Sequence, residues 1–139
     1  MKKILIISAN FYQEISKMLE TSAIAQLESE NFTHETITVP GCLEIPTALA
    51  LAIDSQKYDG YIVLGCVIRG ETTHYDYVCN ESIHAVTKLS LKHRAPIGNA
   101  ILTVENQSQA IARADKAQKD KGGHAARTCI EMMKIKDHL

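Results

Sequence analysis

Residues 4–7 read Ile-Leu-Ile-Ile, an unbroken aliphatic run of the kind that forms a parallel strand covered on both faces. The pattern then changes period. Ile15, Met18, Leu19, Ser22, Ala23 and Leu27 recur at three- and four-residue spacing and give one apolar helical face. A second strand is expected over residues 33–39, ended by Pro40-Gly41, because proline cannot donate to a ladder. Pro46 suits the first turn of the next helix, whose buried face is Ile45, Ala48, Leu49, Ala52 and Ile53.

Residues 60–68, Gly-Tyr-Ile-Val-Leu-Gly-Cys-Val-Ile, are the most apolar stretch and fit a central strand. After the polar string Gly70-Glu71-Thr72-Thr73, a third helix follows through Cys79, Ile83, Val86 and Leu89. Residues 97–104 predict a fourth strand, and Asn106 is a good cap for a helix carrying Ile111 and Ala114. Gly122-Gly123 is expected to break that helix, and Ala126, Cys129, Ile130 and Met133 define a last one.

Strands alternating with helices predict an α/β three-layer sandwich, flavodoxin-like, with a four-stranded parallel sheet in the order 2-1-3-4. The length of 139 residues fits a single domain spanning 1–139. In such sheets ligands bind outside the carboxyl ends of the strands. That rule selects residues 8–11, 39–44, 67–74 and 103–106 before any chemistry is considered.

Composition narrows the classes further. Apolar residues are 45% and charged residues 22%, which excludes collagenous, low-complexity and disordered chains. Fifteen basic side chains against sixteen acidic ones leave a net charge of −1, so no bulk attraction to nucleic acid or an anionic membrane is expected. Cys42, Cys66, Cys79 and Cys129 lack the close pairing of zinc sites and redox motifs and read as reduced packing thiols. With no signal-peptide core and no apolar run long enough for a membrane span, the expected location is cytoplasmic.

Neither G-x-G-x-x-G nor G-x-x-x-x-G-K-[ST] occurs, which removes the main support for dinucleotide-binding and P-loop readings. Phe11, just past a strand end, can stack on a planar heterocycle, although such a residue alone is more often packing. Residues 67–74 are the most informative. Gly70 frees the backbone, and amides running into a helix N-terminus can cradle an anion with help from Thr72 and Thr73 hydroxyls. The plainer alternative is that one threonine merely caps the helix.

His74 falls on the first helical turn, where the positive helix end disfavours imidazolium and favours a ring able to accept a proton. His34, His84, His93, His124 and His138 show no metal-like spacing. Glu44 sits where the second strand turns into its helix and can accept from ligand hydroxyls, or simply favour the helix N-terminus. Arg113 lies well past its strand and is out of reach of this edge within one subunit. Either it serves a site shared between subunits or it is a solvated surface arginine.

The segments Val39-Pro40-Gly41-Cys42-Leu43-Glu44-Ile45-Pro46 and Leu64-Gly65-Cys66-Val67-Ile68-Arg69-Gly70-Glu71-Thr72-Thr73-His74-Tyr75-Asp76-Tyr77-Val78 resemble the lumazine synthases of riboflavin biosynthesis. So does Ile101-Leu102-Thr103-Val104-Glu105-Asn106 with Gln109-Ala110, Arg113-Ala114, Lys121-Gly122 and Glu131-Met132, and the resemblance covers roughly residues 4–133. That family condenses 5-amino-6-(D-ribitylamino)uracil with 3,4-dihydroxy-2-butanone 4-phosphate, releasing phosphate and water without metal or organic cofactor. The resemblance implies that Phe11 stacks on the pyrimidine, that Cys42, Leu43 and Glu44 line the ribityl chain and ring, and that Cys66, Val67 and Ile68 contact the pyrimidine. It further implies that Glu71 and Thr72 form the phosphate loop and that His74 transfers protons. Arg113 then binds phosphate from the adjacent subunit, with Lys121 as an auxiliary. The implied partners are small-molecule substrates and further copies of the chain, in pentamers or multiples of pentamers.

Three departures stand out. Asn10-Phe11-Tyr12 replaces the family's frequent Arg-Phe-Asn, and Leu43 stands where an aromatic is often found. Asn99 stands where many members carry a phenylalanine that packs over the heterocycle from the neighbouring subunit. Two other readings remain at this level: a lumazine- or flavin-binding protein that keeps the fold without the reaction, and a structural shell protein.

Overall fold

The computed structural model describes residues 2–139. Lys3–Ala9 forms β1, followed by α1 (Gln13–Ser29), β2 (Thr33–Val39), a single 3-10 turn (Cys42–Glu44), α2 (Ile45–Ser55) and β3 (Gly60–Ile68). The chain continues through α3 (His74–His93), β4 (Ile97–Val104), α4 (Gln107–Ala114) and α5 (Lys121–His138). All strand pairings are parallel, in the order β2-β1-β3-β4 that the alternation predicts.

The order follows from burial. Both aliphatic runs occupy the centre, where the two faces of the sheet are covered, and the strand period divides their side chains between two cores. Ile4, Ile6, Ile62, Leu64, Ala100 and Leu102 pack with residues of α1, α4 and α5. Leu5, Ile7, Ala9, Val63 and Ile101 pack on the other side with residues of α2 and α3. β2, at one border, is mostly exposed, which suits its sequence Thr-His-Glu-Thr-Ile-Thr-Val. A fully buried Val, Ile or Leu contributes about 1.5–3 kcal/mol, so the twelve largest fully buried side chains among the described residues dominate the stability of the layers.

One expectation is corrected. Gly122 and Gly123 do not break α4; they lie in the first turn of α5. The break comes earlier, at Asp115, whose carboxylate accepts from the Ala117 amide at 2.9 Å and from Gln118 Nε2 at 3.1 Å. These two donors also hold the Asp115 carboxyl below the usual carboxylate range. Gly122 is glycine for a packing reason: a Cβ there would lie 2.3 Å from the Leu19 carbonyl oxygen, so its absence lets α5 settle directly on α1. The expected cap is present, with Asn106 Oδ1 accepting from the Gln109 amide at 2.9 Å.

Candidate active site

β1 and β3 are neighbours, but the chain leaves them toward opposite sides of the sheet, so their carboxyl ends part and open a crevice. A cleft of about 340 Å³ occupies this crevice, within the size range of small-molecule sites. Phe11 and Tyr12 come from the turn after β1, and Gly41, Cys42, Leu43 and Glu44 from the turn after β2. The end of β3 supplies Cys66, Val67 and Ile68, and the following loop and first turns of α3 supply Gly70, Thr72, His74, Tyr75 and Val78.

Local sequence explains how these groups converge. Gly65 in β3 has no side chain to hold off the 3-10 turn, and a Cβ there would lie 2.6 Å from Cys42 Sγ. The sulfur therefore seats the Cys42–Glu44 turn against the central strand, and Pro46 starts α2 directly behind it. Phe11 is 72% exposed and meets Tyr12 edge to face at 4.9 Å, so its free face is an apolar platform at the cleft mouth.

The N-terminus of α3 opens onto the same space. Thr73 is the residue before the helix and makes no side-chain cap; instead Thr72 Oγ1 accepts from the His74 amide at 3.3 Å. Among the described residues, the side chains of Glu44 and His74 make no hydrogen bond or ion pair within the chain. A carboxylate and an imidazole with uncommitted side chains thus face one apolar-walled cleft beside a helix N-terminus. Such a site can stack a planar ring, accept from hydroxyls, hold an anion and move a proton.

The cysteines take no nucleophilic part in this picture. All four are free and buried. Burial pushes the Cys42 thiol up to about 11 and the Cys66 and Cys129 thiols up to about 12, which keeps them neutral and unreactive. Burial also raises the Tyr12 and Tyr75 hydroxyls, so both stay protonated donors. Among the described residues, no group of three His, Cys, Asp or Glu side chains is arranged to hold a metal ion.

Of the residues singled out in the sequence, Phe11, Cys42, Leu43, Glu44, Cys66, Val67, Ile68, Thr72 and His74 line the cleft. Glu71 is exposed on the loop beside it. Arg113 is not among the lining residues; it lies in the last turn of α4, with Nη1 donating to the Gln109 carbonyl at 3.1 Å. Lys121 is exposed at the start of α5. Asn99 is exposed on the border strand β4, where its Oδ1 accepts from the Ile101 amide at 2.8 Å. Tyr12, Tyr75 and Val78 also line the cleft and were not singled out. The position of Val78, one helical turn beyond His74, is the signal that could have found it.

The architecture is that of a flavodoxin-like α/β protein with a cleft of small-molecule size at its switch point. The family model described as 6,7-dimethyl-8-ribityllumazine synthase matches residues 1–137. A protein of that description from Sphingopyxis alaskensis is 50% identical over 139 residues, covering 100% of this chain and 98% of its own. One from Erythrobacter litoralis is 46% identical over 139 residues, with 100% and 99% covered. Another from Agrobacterium fabrum is 48% identical over 141 residues, with 98% and 95% covered. The chain belongs to the 6,7-dimethyl-8-ribityllumazine synthase family.

Proposed function

We propose that this chain, as a single domain spanning 1–139, condenses 5-amino-6-(D-ribitylamino)uracil with 3,4-dihydroxy-2-butanone 4-phosphate in the described cleft. The products are 6,7-dimethyl-8-ribityllumazine, phosphate and water, the penultimate step of riboflavin formation. The observation that carries the reading is the convergence of an exposed aromatic platform (Phe11), an uncommitted carboxylate (Glu44) and an imidazole at a helix N-terminus (His74) on one cleft.

The chemistry asks mainly for positioning. The ring amine attacks the butanone carbonyl to form an imine, phosphate leaves by β-elimination, the enol tautomerises, and the second nitrogen closes the ring. Holding two reactants in register can remove about 7–11 kcal/mol of barrier. In this reading Phe11 stacks on the pyrimidine, Cys66, Val67 and Ile68 contact its edge, and Cys42, Leu43 and Glu44 follow the ribityl chain. Glu71 and Thr72 with the α3 N-terminus receive the phosphate, and His74 carries protons to the carbonyl and from carbon. Arg113, with Lys121 as an auxiliary and Asn99 beside the ring, is supplied by an adjacent copy in a pentamer or a multiple of pentamers in the cytoplasm. What supports sharing is the position of Arg113 on α4, away from its own chain's cleft.

The test is to mix the purified protein with both substrates and follow the near-ultraviolet absorbance of the product. Product formation is expected; ligand-induced fluorescence change without turnover would instead mark a binding protein. Native mass measured alongside is expected to give multiples of five chains, and a fully active monomer would overturn the shared site.

A further inference from the structure

The loop between β3 and His74 has little to hold it. Gly70, Glu71, Thr72 and Thr73 are all exposed, and a Cβ on Gly70 would meet nothing within 4 Å. Among the described residues, its hydrogen bonds are local. Thr72 Oγ1 accepts from the His74 amide, and the Thr73 carbonyl accepts from the Asp76 and Tyr77 amides at 2.9 and 3.4 Å. A segment so sparsely bonded opens easily, whereas proton transfer needs its imidazole fixed to within about half an ångström.

Arg69 supplies a restraint from outside this segment, beside the side-chain hydrogen bond between Tyr75 and Thr103 of β4. Its backbone N–H donates to the Val104 carbonyl at 3.0 Å and adds a rung where β3 and β4 end. Its Nε lies 3.0 and 3.1 Å from the two carboxylate oxygens of Glu105. A further guanidinium nitrogen, Nη2, is 3.6 Å from Asp76 Oδ1, and the guanidinium carbon sits 4.3 Å from the centre of the Tyr75 ring. Glu105 is itself anchored, since its amide donates to Gln109 Oε1 of α4 at 2.8 Å. One planar cation therefore ties the end of β4 to the two residues that immediately follow His74.

These contacts lie in solvent: the side chains of Arg69, Glu105 and Asp76 are 41%, 56% and 51% exposed. Exposed pairs of this kind add little to global stability. Their effect is geometric, because a guanidinium can lay its face on a ring while its edge meets a carboxylate, and an ammonium cannot do both. We propose that Arg69 is a positioning residue for the reaction, holding Tyr75 and the first turn of α3 against the end of β4 and thereby fixing His74 over the cleft. This rests on the function proposed above.

The test compares Arg69→Ala, Arg69→Lys and Glu105→Gln with the parent protein. Arg69→Ala is expected to lower kcat about 10- to 100-fold with KM for both substrates within about threefold, since a misplacement near 1 Å costs on this scale. Arg69→Lys is expected to restore only a minor part of the loss. Adding Glu105→Gln to Arg69→Ala is expected to cost nothing further. Amide hydrogen exchange over residues 70–76 is expected to rise in Arg69→Ala while exchange in β1 and α5 stays at the parent's rate. Unchanged local exchange, or kcat within twofold of the parent, overturns the proposal. A parent protein without turnover defeats the functional reading instead, and the exchange measurement still decides whether Arg69 restrains the loop.

Discussion

The two ends of the sheet both carry cavities, and the larger one is not the one that the proposed site residues line. At the amino ends of the strands a depression of about 480 Å³ is lined by Lys2, Asp54, Tyr58, Asp59, Lys136 and Asp137 among others. Several of its polar groups are spent on the fold, although, among the described residues, the side chains of Asp54, Gln56 and His93 are not. Lys2 pairs with Asp137 at 3.2 Å, Asp59 accepts from the Lys3 amide at 2.8 Å, and Lys136 donates to the Arg94 carbonyl at 2.9 Å. Tyr58 is likewise committed, donating to Glu35 at 2.6 Å. At the carboxyl ends the smaller cleft has apolar walls and, among the described residues, Glu44 and His74 side chains with no partner. Helix N-termini gather there because every crossover leaves a parallel strand at its carboxyl end. Volume alone does not separate the two; what sets the smaller cleft apart is that an aromatic platform, a carboxylate and an imidazole beside a helix N-terminus meet there.

Substitutions at the two ends should therefore separate activity from stability. The largest effect is expected for His74→Ala, which should lower kcat about 10²- to 10⁴-fold with a small change in KM and in Tm. Unchanged turnover would break the assignment of proton transfer to this edge. Arg113→Ala should chiefly raise KM for the butanone phosphate, by about 10- to 100-fold, as befits loss of charge-assisted hydrogen bonds worth about 1.5–3 kcal/mol. Mixing Arg113→Ala with His74→Ala protein, followed by reassembly, should recover part of the parent activity if the site is shared. At the amino end, Asp59→Ala should cost about 1 kcal/mol in denaturant unfolding with kcat unchanged. Lys2→Ala should cost about 0.5 kcal/mol or less, since its pair with Asp137 is solvent-exposed.

Much of this arrangement was legible in the sequence because it depends on period and punctuation. The aliphatic runs at 4–7 and 60–68 place β1 and β3 at the centre, and Pro40-Gly41 and Pro46 mark the turn that brings Glu44 to the cleft. The rule about strand carboxyl ends then finds His74 without knowledge of any contact. What failed depends on tertiary approach. Gly122 and Gly123 look like a helix break in one dimension and are in fact clearance for α1 and for the Asp120 carboxylate. Arg69 follows a strand, and no local spacing points to its main partner, Glu105, 36 residues away. Tyr75 stands just beyond the 67–74 window, and the helix turns it toward the cleft. Asn99 hydrogen-bonds within its own strand, and no periodicity signals that.

The seat of Cys42 on Gly65 has a consequence for how this sequence can drift. The cleft floor fixes the combined bulk of the two positions rather than the identity of either, because the sulfur occupies the room a methyl group at 65 would need. A gain at one position has to be matched by a loss at the other, or the turn carrying Glu44 is pushed away from the strand. A larger residue at 65 thus calls for a smaller one at 42, across a contact that lies twenty-three positions apart in the chain.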